Sequence, residues 1–307
     1  MTVRLGDLSQ SALMDLAAKG QLRYAVGPFT VSLQTRLSGL LRIVSQFYST
    51  IPLLPPHTFC QYHIVINERG LRRLSWRRQA VFSIDGIKLF EPYPLDHAFP
   101  LLEWGLNWCI GSMANNYLLL HSAVVERNDC ALVLPALPGS GKSTLCAGLI
   151  NRGWRLLSDE FGIFRHRDSM LVPMPRAMPL KNESIDVIRQ FAPDALMGPL
   201  YPKTRKGDVK HLAPSKTCLD NQHRCVKPRW VLFPKYIPDE KTSLQPQQQS
   251  VAFTRLSNNS FNYHVTGEQG FHSLAGLVRN VDSYQFVYSD LEDATRFLGE
   301  LADRETA

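Results

Sequence analysis

The stretch from Ala131 to Glu160, ALVLPALPGSGKSTLCAGLINRGWRLLSDE, constrains this chain more than any other. It reads as an apolar strand, a glycine-rich turn, a helix, a glycine stop and a second apolar strand closed by two carboxylates. The template of a phosphate-cradling P-loop is GxxxxGK[ST]; Ala136 stands where its first glycine is expected, and Gly139, Gly141, Lys142 and Ser143 follow in register. Gly139 and Gly141 let the backbone turn its N–H groups onto phosphate oxygens, which bulkier residues at positive φ resist. Lys142 brings a point charge to the β/γ-phosphates, the Ser143 hydroxyl reaches for Mg²⁺, and a helix from Ser143 to Asn151 adds its N-terminal dipole.

The first carboxylate, Asp159, follows Lys142 by 17 residues. A short helix and turn between them predict a right-handed crossover that returns the chain beside its starting strand. Asp159 is then expected at the carboxyl edge of the sheet, close to Ser143 and the γ-phosphate. An aspartate there can take a proton from an attacking hydroxyl, and the adjacent Glu160 can hold Mg²⁺ directly or through water. The plainer alternative is a strand-end carboxylate capping the next turn. GTPases and motor ATPases draw their metal-binding aspartate from a strand farther along, so the short separation favours a phosphotransferase acting on a hydroxyl.

Composition sets the frame. With 307 residues, 44% hydrophobic and 20% charged, the chain reads as a globular protein of two domains or one large one. The net charge of +7 suits a phosphorylated ligand or an acidic partner. Arg72, Arg73, Arg77 and Arg78 stand out from an otherwise scattered positive charge and read as the wet face of a strand, so no nucleic acid is expected as a partner. The six cysteines show neither CxxC pairs nor metal spacing and read as reduced thiols of a cytoplasmic protein. No signal peptide is legible, and the greasy run Phe99 to Leu120 is broken by Glu103, Asn107, Asn115 and Asn116, so no membrane span is expected.

Residues 1–100 read as an N-terminal α+β domain and 101–307 as the nucleotide-binding domain, an α/β fold overall. Helical spacing marks Leu8 to Lys19, Arg36 to Tyr48 and Leu101 to Ala114; strands are expected at Leu22 to Leu33, His63 to Asn67, Leu71 to Trp76 and Ala80 to Ile84. Leu118 to Glu126 and Cys130 to Pro135 make a hairpin ahead of the glycine turn. Its His121 reads either as a hydrogen-bonded core residue or as a group within range of the phosphates. Beyond the carboxylates, Arg176, Lys181 and Lys206 are the loop cations singled out to close over transferring phosphate. Pro238 to Gln249 reads as an exposed loop, Arg229 to Pro234, Phe261 to Val265 and Tyr284 to Ser289 as strands, and Ser289 with Glu292 as the capping box of a last helix.

The series HSAVV, PGSGKST and RGWRLLSDE resembles the catalytic core of HPr kinase/phosphorylase. Together with GPF (Gly27 to Phe29), EWGLNWC, LPALPGSGKSTLCAGL, PRAMPLKNES, TRKGDVKHLAP, LFPKY and NSFNY, it resembles the HPr-kinase-related kinase A family over nearly the whole chain. The nucleotide core is also similar to that of phosphoenolpyruvate carboxykinase. The resemblance implies a bacterial, cytoplasmic kinase using ATP and Mg²⁺. It gives nucleotide contacts to Pro138, Gly139, Ser140, Gly141, Lys142, Ser143 and Thr144, makes Asp159 base and metal ligand, and supports a role for His121. Glu160 stands where HPr kinase has Asp, a longer side chain that departs from the family's metal-binding pair. No counterpart of the substrate-docking loop of HPr kinase is legible, so neither HPr nor the reverse phosphorolysis is implied. Relatives often assemble, so a homo-oligomer contacting through the N-terminal module is one expectation. The expected acceptor is a hydroxyl, a serine of a small protein or peptide. A metabolite kinase of the shikimate or gluconate type and a non-catalytic nucleotide-gated binding module are the alternatives.

Overall fold

The computed structural model describes residues 2–69, 78–135 and 139–305. Ala136, Pro138, the strand expected at Leu71 to Trp76 and the arginines Arg72, Arg73 and Arg77 lie outside them. The described chain is mixed α/β, with nine α-helices and three sheets among the described residues, none of the helices long and apolar enough to cross a membrane.

In the N-terminal half, α1 (Gln10–Ala18) starts at Ser9, whose hydroxyl accepts from the Ala12 N–H, and α2 (Ser38–Phe47) buries its apolar stripe. The run Leu22 to Leu33, expected as one strand, is an antiparallel pair, β1 (Leu22–Val26) and β2 (Phe29–Thr35). Gly27 causes the split: its φ is +57°, and a side chain there would run into the Pro173 carbonyl and Met174. With β3 (Tyr62–Glu68), β4 (Gln79–Ile84), β5 (Ile87–Lys88) and β6 (Tyr93–Pro94) they form a six-stranded sheet in which β2 and β3 run parallel through the α2 crossover. Alternate side chains, among them Val31, Leu33, Ile64, Ile66 and Phe82, are buried, and α3 (Ala98–Met113) packs on β3 and β4.

The second half contains β7 (Tyr117–Arg127), β8 (Cys130–Pro135), α4 (Lys142–Ile150), β9 (Arg155–Ser158), β10 (Phe161–Arg165), β11 (Met178–Lys181), α5 (Glu183–Phe191), β12 (Met197–Thr204), β13 (Gly207–Leu212), α6 (Lys216–Asp220), β14 (Lys227–Tyr236), β15 (Ser243–Pro246), α7 (Gln249–Asn258), α8 (Tyr263–Arg279), β16 (Asp282–Tyr288) and α9 (Leu291–Arg304). Its main sheet runs β10-β7-β8-β14-β16-β15, with β9 also on β7; β11-β13-β12 form a small separate sheet. Strand β14 is parallel to both β8 and β16, and β7 is antiparallel to β8, β9 and β10. The strand after α4 therefore does not return beside β8, as expected, but one place farther, because the β7–β8 hairpin already fills that edge. Ala123, Val125, Leu132 and Leu134 pack toward α4 and α9, whereas Leu120, Val124, Ala131 and Val133 pack toward α7 and α8.

Three other expectations are corrected. Phe261 to Val265 is not a strand: Ser260 makes one bridge to Leu120, the Asn262 amide accepts from Leu119 N–H and donates to the Tyr117 carbonyl, and α8 begins at Tyr263. A side chain there satisfies the edge that a strand would have covered. Asp290, not Ser289, caps α9, accepting from Asp293 N–H, while the Ser289 hydroxyl donates to the Glu240 carbonyl. The polar segment Pro238 to Gln249 contains the edge strand β15, paired antiparallel to β16.

One core cluster joins the halves, uniting Leu22, Phe47 and Phe82 with Phe161, Met174, Ala177 and Tyr201. At its centre the Arg176 guanidinium meets the Glu103 carboxylate at 2.6 Å, and the Tyr48 hydroxyl donates to Glu103 at 2.9 Å.

Candidate functional site

Strand register assembles the site. On β7, Ser122 lies opposite Pro135, the last residue of β8, while on the other edge Val124 lies opposite Ser158 and His121 opposite Phe161. Strands β9 and β10 thus follow one line along β7, interrupted at Asp159 and Glu160, at the level where β8 gives way to the glycine turn. Ser158 makes the interruption: its hydroxyl accepts from the N–H groups of Glu160 at 3.3 Å and Phe161 at 3.1 Å, diverting local backbone from regular pairing.

The turn has the backbone that its glycines permit, with φ of +85° at both Gly139 and Gly141. A Cβ at Gly141 would strike the Tyr288 hydroxyl, which donates to the Gly141 carbonyl at 3.1 Å. Gly141 also leads into α4, whose first residue is Lys142. The buried Lys142 Nζ donates to the Asp159 main-chain carbonyl at 2.7 Å, and the Ser143 hydroxyl donates to Asp159 Oδ2 at 3.4 Å. Asp159 Oδ1 and Ser140 Oγ are buried without a hydrogen-bond partner among the described residues. Thr144 is half-buried on the first turn of α4.

Further charges converge here. His121 Nε2 lies 3.6 Å from Glu160 Oε1, and Asn259 pins its backbone: the His121 N–H donates to the Asn259 carbonyl at 2.8 Å and the Asn259 amide donates back at 2.7 Å. Burial, then Lys142, hold the His121 imidazole below its ordinary range against the pull of Glu160, keeping it neutral at physiological pH. Burial pushes the Asp159 carboxyl up, with Glu160 adding to the rise and Lys142 opposing it, so it is a stronger proton acceptor than an ordinary aspartate. Lys181, at the end of β11, is pushed down by burial and by Lys206, and it feels Glu160 and Asp159 as opposing charges. Lys206, in the β12–β13 turn, sits with its Nζ 5.8 Å from the Trp104 ring centroid.

The structure therefore brings together Gly139, Ser140, Gly141, Lys142, Ser143, Asp159, Glu160, His121, Lys181 and Lys206; Pro138 lies outside the described residues. Arg176 is the correction. Its guanidinium donates to the Glu103 carboxylate at 2.6 Å, to the Glu103 carbonyl at 2.8 Å and to Asn107, so its charge is spent in the core joining the two halves. The cue was Glu103 and Asn107 on the buried face of α3, four residues apart and both able to accept from a guanidinium. Sequence reasoning also passed over Ser158, Asn259, Tyr236 and Tyr288; only Ser158, two residues before Glu160, carries a local turn signal.

The donors present fit Mg²⁺. Asp159 Oδ2 and the Ser143 hydroxyl, 3.4 Å apart, offer the one or two protein oxygens that this hard cation takes, its shell being completed by water and substrate phosphates, while Asp159 Oδ1 stays without a hydrogen-bond partner among the described residues. Lys142 and the glycine turn offer the matching cradle for those phosphates. No family model and no curated protein matches the chain.

Proposed function

We propose that the chain is an ATP- and Mg²⁺-dependent kinase with an HPr-kinase-like nucleotide core, transferring the γ-phosphoryl group to a hydroxyl, a serine of a small protein or peptide. The observation that carries this reading is the meeting of Lys142, Ser143 and Asp159 within hydrogen-bond reach at one end of the sheet. Arriving phosphate competes with the Asp159 carbonyl for the Lys142 ammonium. Asp159 Oδ1, without a partner among the described residues, accepts the proton of the attacking hydroxyl, helped by the burial that raises its basicity. His121, its imidazole held down by burial, stands 3.6 Å from Glu160, and Lys181 with Lys206 offsets the charge of the equatorial phosphoryl oxygens. Bound Mg²⁺ supplies neutralisation of the β/γ oxygens.

The test is transfer from γ-labelled ATP into peptide and metabolite fractions taken separately. Label on serine, lowered about 100-fold or more in Asp159→Asn at Mg-ATP concentrations that still saturate the variant, is the expected result. Label in a metabolite assigns the smaller acceptor, and nucleotide binding without transfer assigns a non-catalytic module.

A further inference from the structure

We propose that Tyr236 is the shelf on which the base of the donor nucleotide stacks, an inference that rests on the kinase reading above. The acids occupy one flank of the cradle, on the line of β9 and β10 beyond β7. A terminal phosphate directed at Asp159 sends the ribose and base toward the opposite flank, where β14 and β16 run parallel to β8. Those two strands end in register on Tyr236 and Tyr288.

The two tyrosines divide the work. Tyr288 is 2% exposed and is used up in supporting the turn through the Gly141 carbonyl. Tyr236 is 50% exposed, although its backbone N–H is tied to the Ser140 carbonyl at 3.3 Å and its Cβ lies 3.3 Å from where a Gly141 Cβ would stand. Its ring meets Tyr288 edge to face, centroids 5.7 Å apart at 73°, and the next residue, Ile237, is fixed by its N–H to the Tyr288 carbonyl at 3.0 Å. An aromatic face is thus held beside the phosphate cradle with little freedom to lose on binding. The other exposed aromatic of the site, Phe261, packs against His121 and Phe161 on the acceptor flank and cannot serve the base. Stacking accepts any base because every base has a π-face, so ATP and GTP are held alike.

The test is calorimetric titration of Mg-ATP, Mg-GTP and Mg-tripolyphosphate into wild type, Tyr236→Ala and Tyr236→Phe. The alanine variant is expected to weaken both nucleotides about tenfold and to leave tripolyphosphate within about twofold, while the phenylalanine variant binds like wild type. The shelf is overturned by undiminished nucleotide affinity in the alanine variant, by an equal loss for tripolyphosphate, or by a loss in the phenylalanine variant that points to the hydroxyl. Wild type that binds tripolyphosphate no more weakly than nucleotide keeps the cradle and removes the shelf. Wild type that binds none of the three removes the kinase reading as well.

Discussion

Replacing Arg176 by methionine separates two accounts of this residue, the phosphate clamp expected from its position in the chain and the core pair seen in the fold. Arg176 and Glu103 side chains are 8% and 5% exposed. The substitution leaves the Glu103 carboxylate buried with the Tyr48 hydroxyl as its remaining side-chain donor, while the Tyr48 oxygen still accepts from Ala177 N–H. Removing one member of a buried ion pair costs about 3–5 kcal/mol. Over 307 residues, an unfolding entropy of about 2.1 cal/mol/K per residue sums to about 0.64 kcal/mol/K, so Tm falls by about 5–8 °C. The double variant Glu103→Leu with Arg176→Met removes the uncompensated charge and regains most of the loss. The assay is thermal melting by circular dichroism, paired with Mg-tripolyphosphate titration below the transition. The account expects a lowered Tm, rescue in the double variant and unchanged anion affinity. An unchanged Tm with lost anion binding refutes it and returns Arg176 to the phosphates.

The remaining predictions concern the site. A base must be ionised to take a proton and the Asp159 carboxyl is raised by burial, so under the proposed mechanism turnover falls as pH drops through that raised value, an acid limb above the ordinary aspartate range that pH–rate profiles read. By linkage, a carboxyl whose folded value is raised adds stability below its ordinary value of 3.8 and loses it as pH rises through the raised one. Asp159→Asn therefore melts higher than wild type at neutral pH. Gly141→Ala places a side chain at φ +85° against the Tyr288 hydroxyl; with about 1–2 kcal/mol of backbone strain alone, Mg-ATP affinity drops about tenfold or more by titration. Lys181, held below the usual lysine range by burial and Lys206, is acetylated more slowly by acetic anhydride after Lys206→Met or when tripolyphosphate is bound, as followed by mass spectrometry.

What was legible in the chain was local. Apolar spacing located α1, α2 and α3, and the glycine-lysine-serine order marked the cradle, because each is written in a few consecutive residues. The distance from Lys142 to Asp159 was enough to bring the acid to Ser143, although the strand between them sits beside β7 and not β8. That displacement depends on which edge the β7–β8 hairpin has already filled, a pairing with no local signature. Arg176 failed for the same reason: its partner is 73 residues away on α3. Phe261 to Val265 has the composition of a strand, but the Asn262 side chain replaced backbone pairing and α8 followed. Tyr236 and Tyr288 reached the cradle only through the parallel register of β14 and β16, which spacing along the chain does not encode.

The central claim is that Asp159 and Lys142 face the same terminal phosphate, and the sign of a charge effect tests it most directly. Tripolyphosphate affinity is measured by calorimetry in wild type and Asp159→Asn, first with EDTA and then with Mg²⁺. If both side chains face the anion, removing the carboxylate tightens metal-free binding by about threefold or more and weakens Mg²⁺-dependent binding. Equal affinities for the two proteins in both conditions would contradict the account.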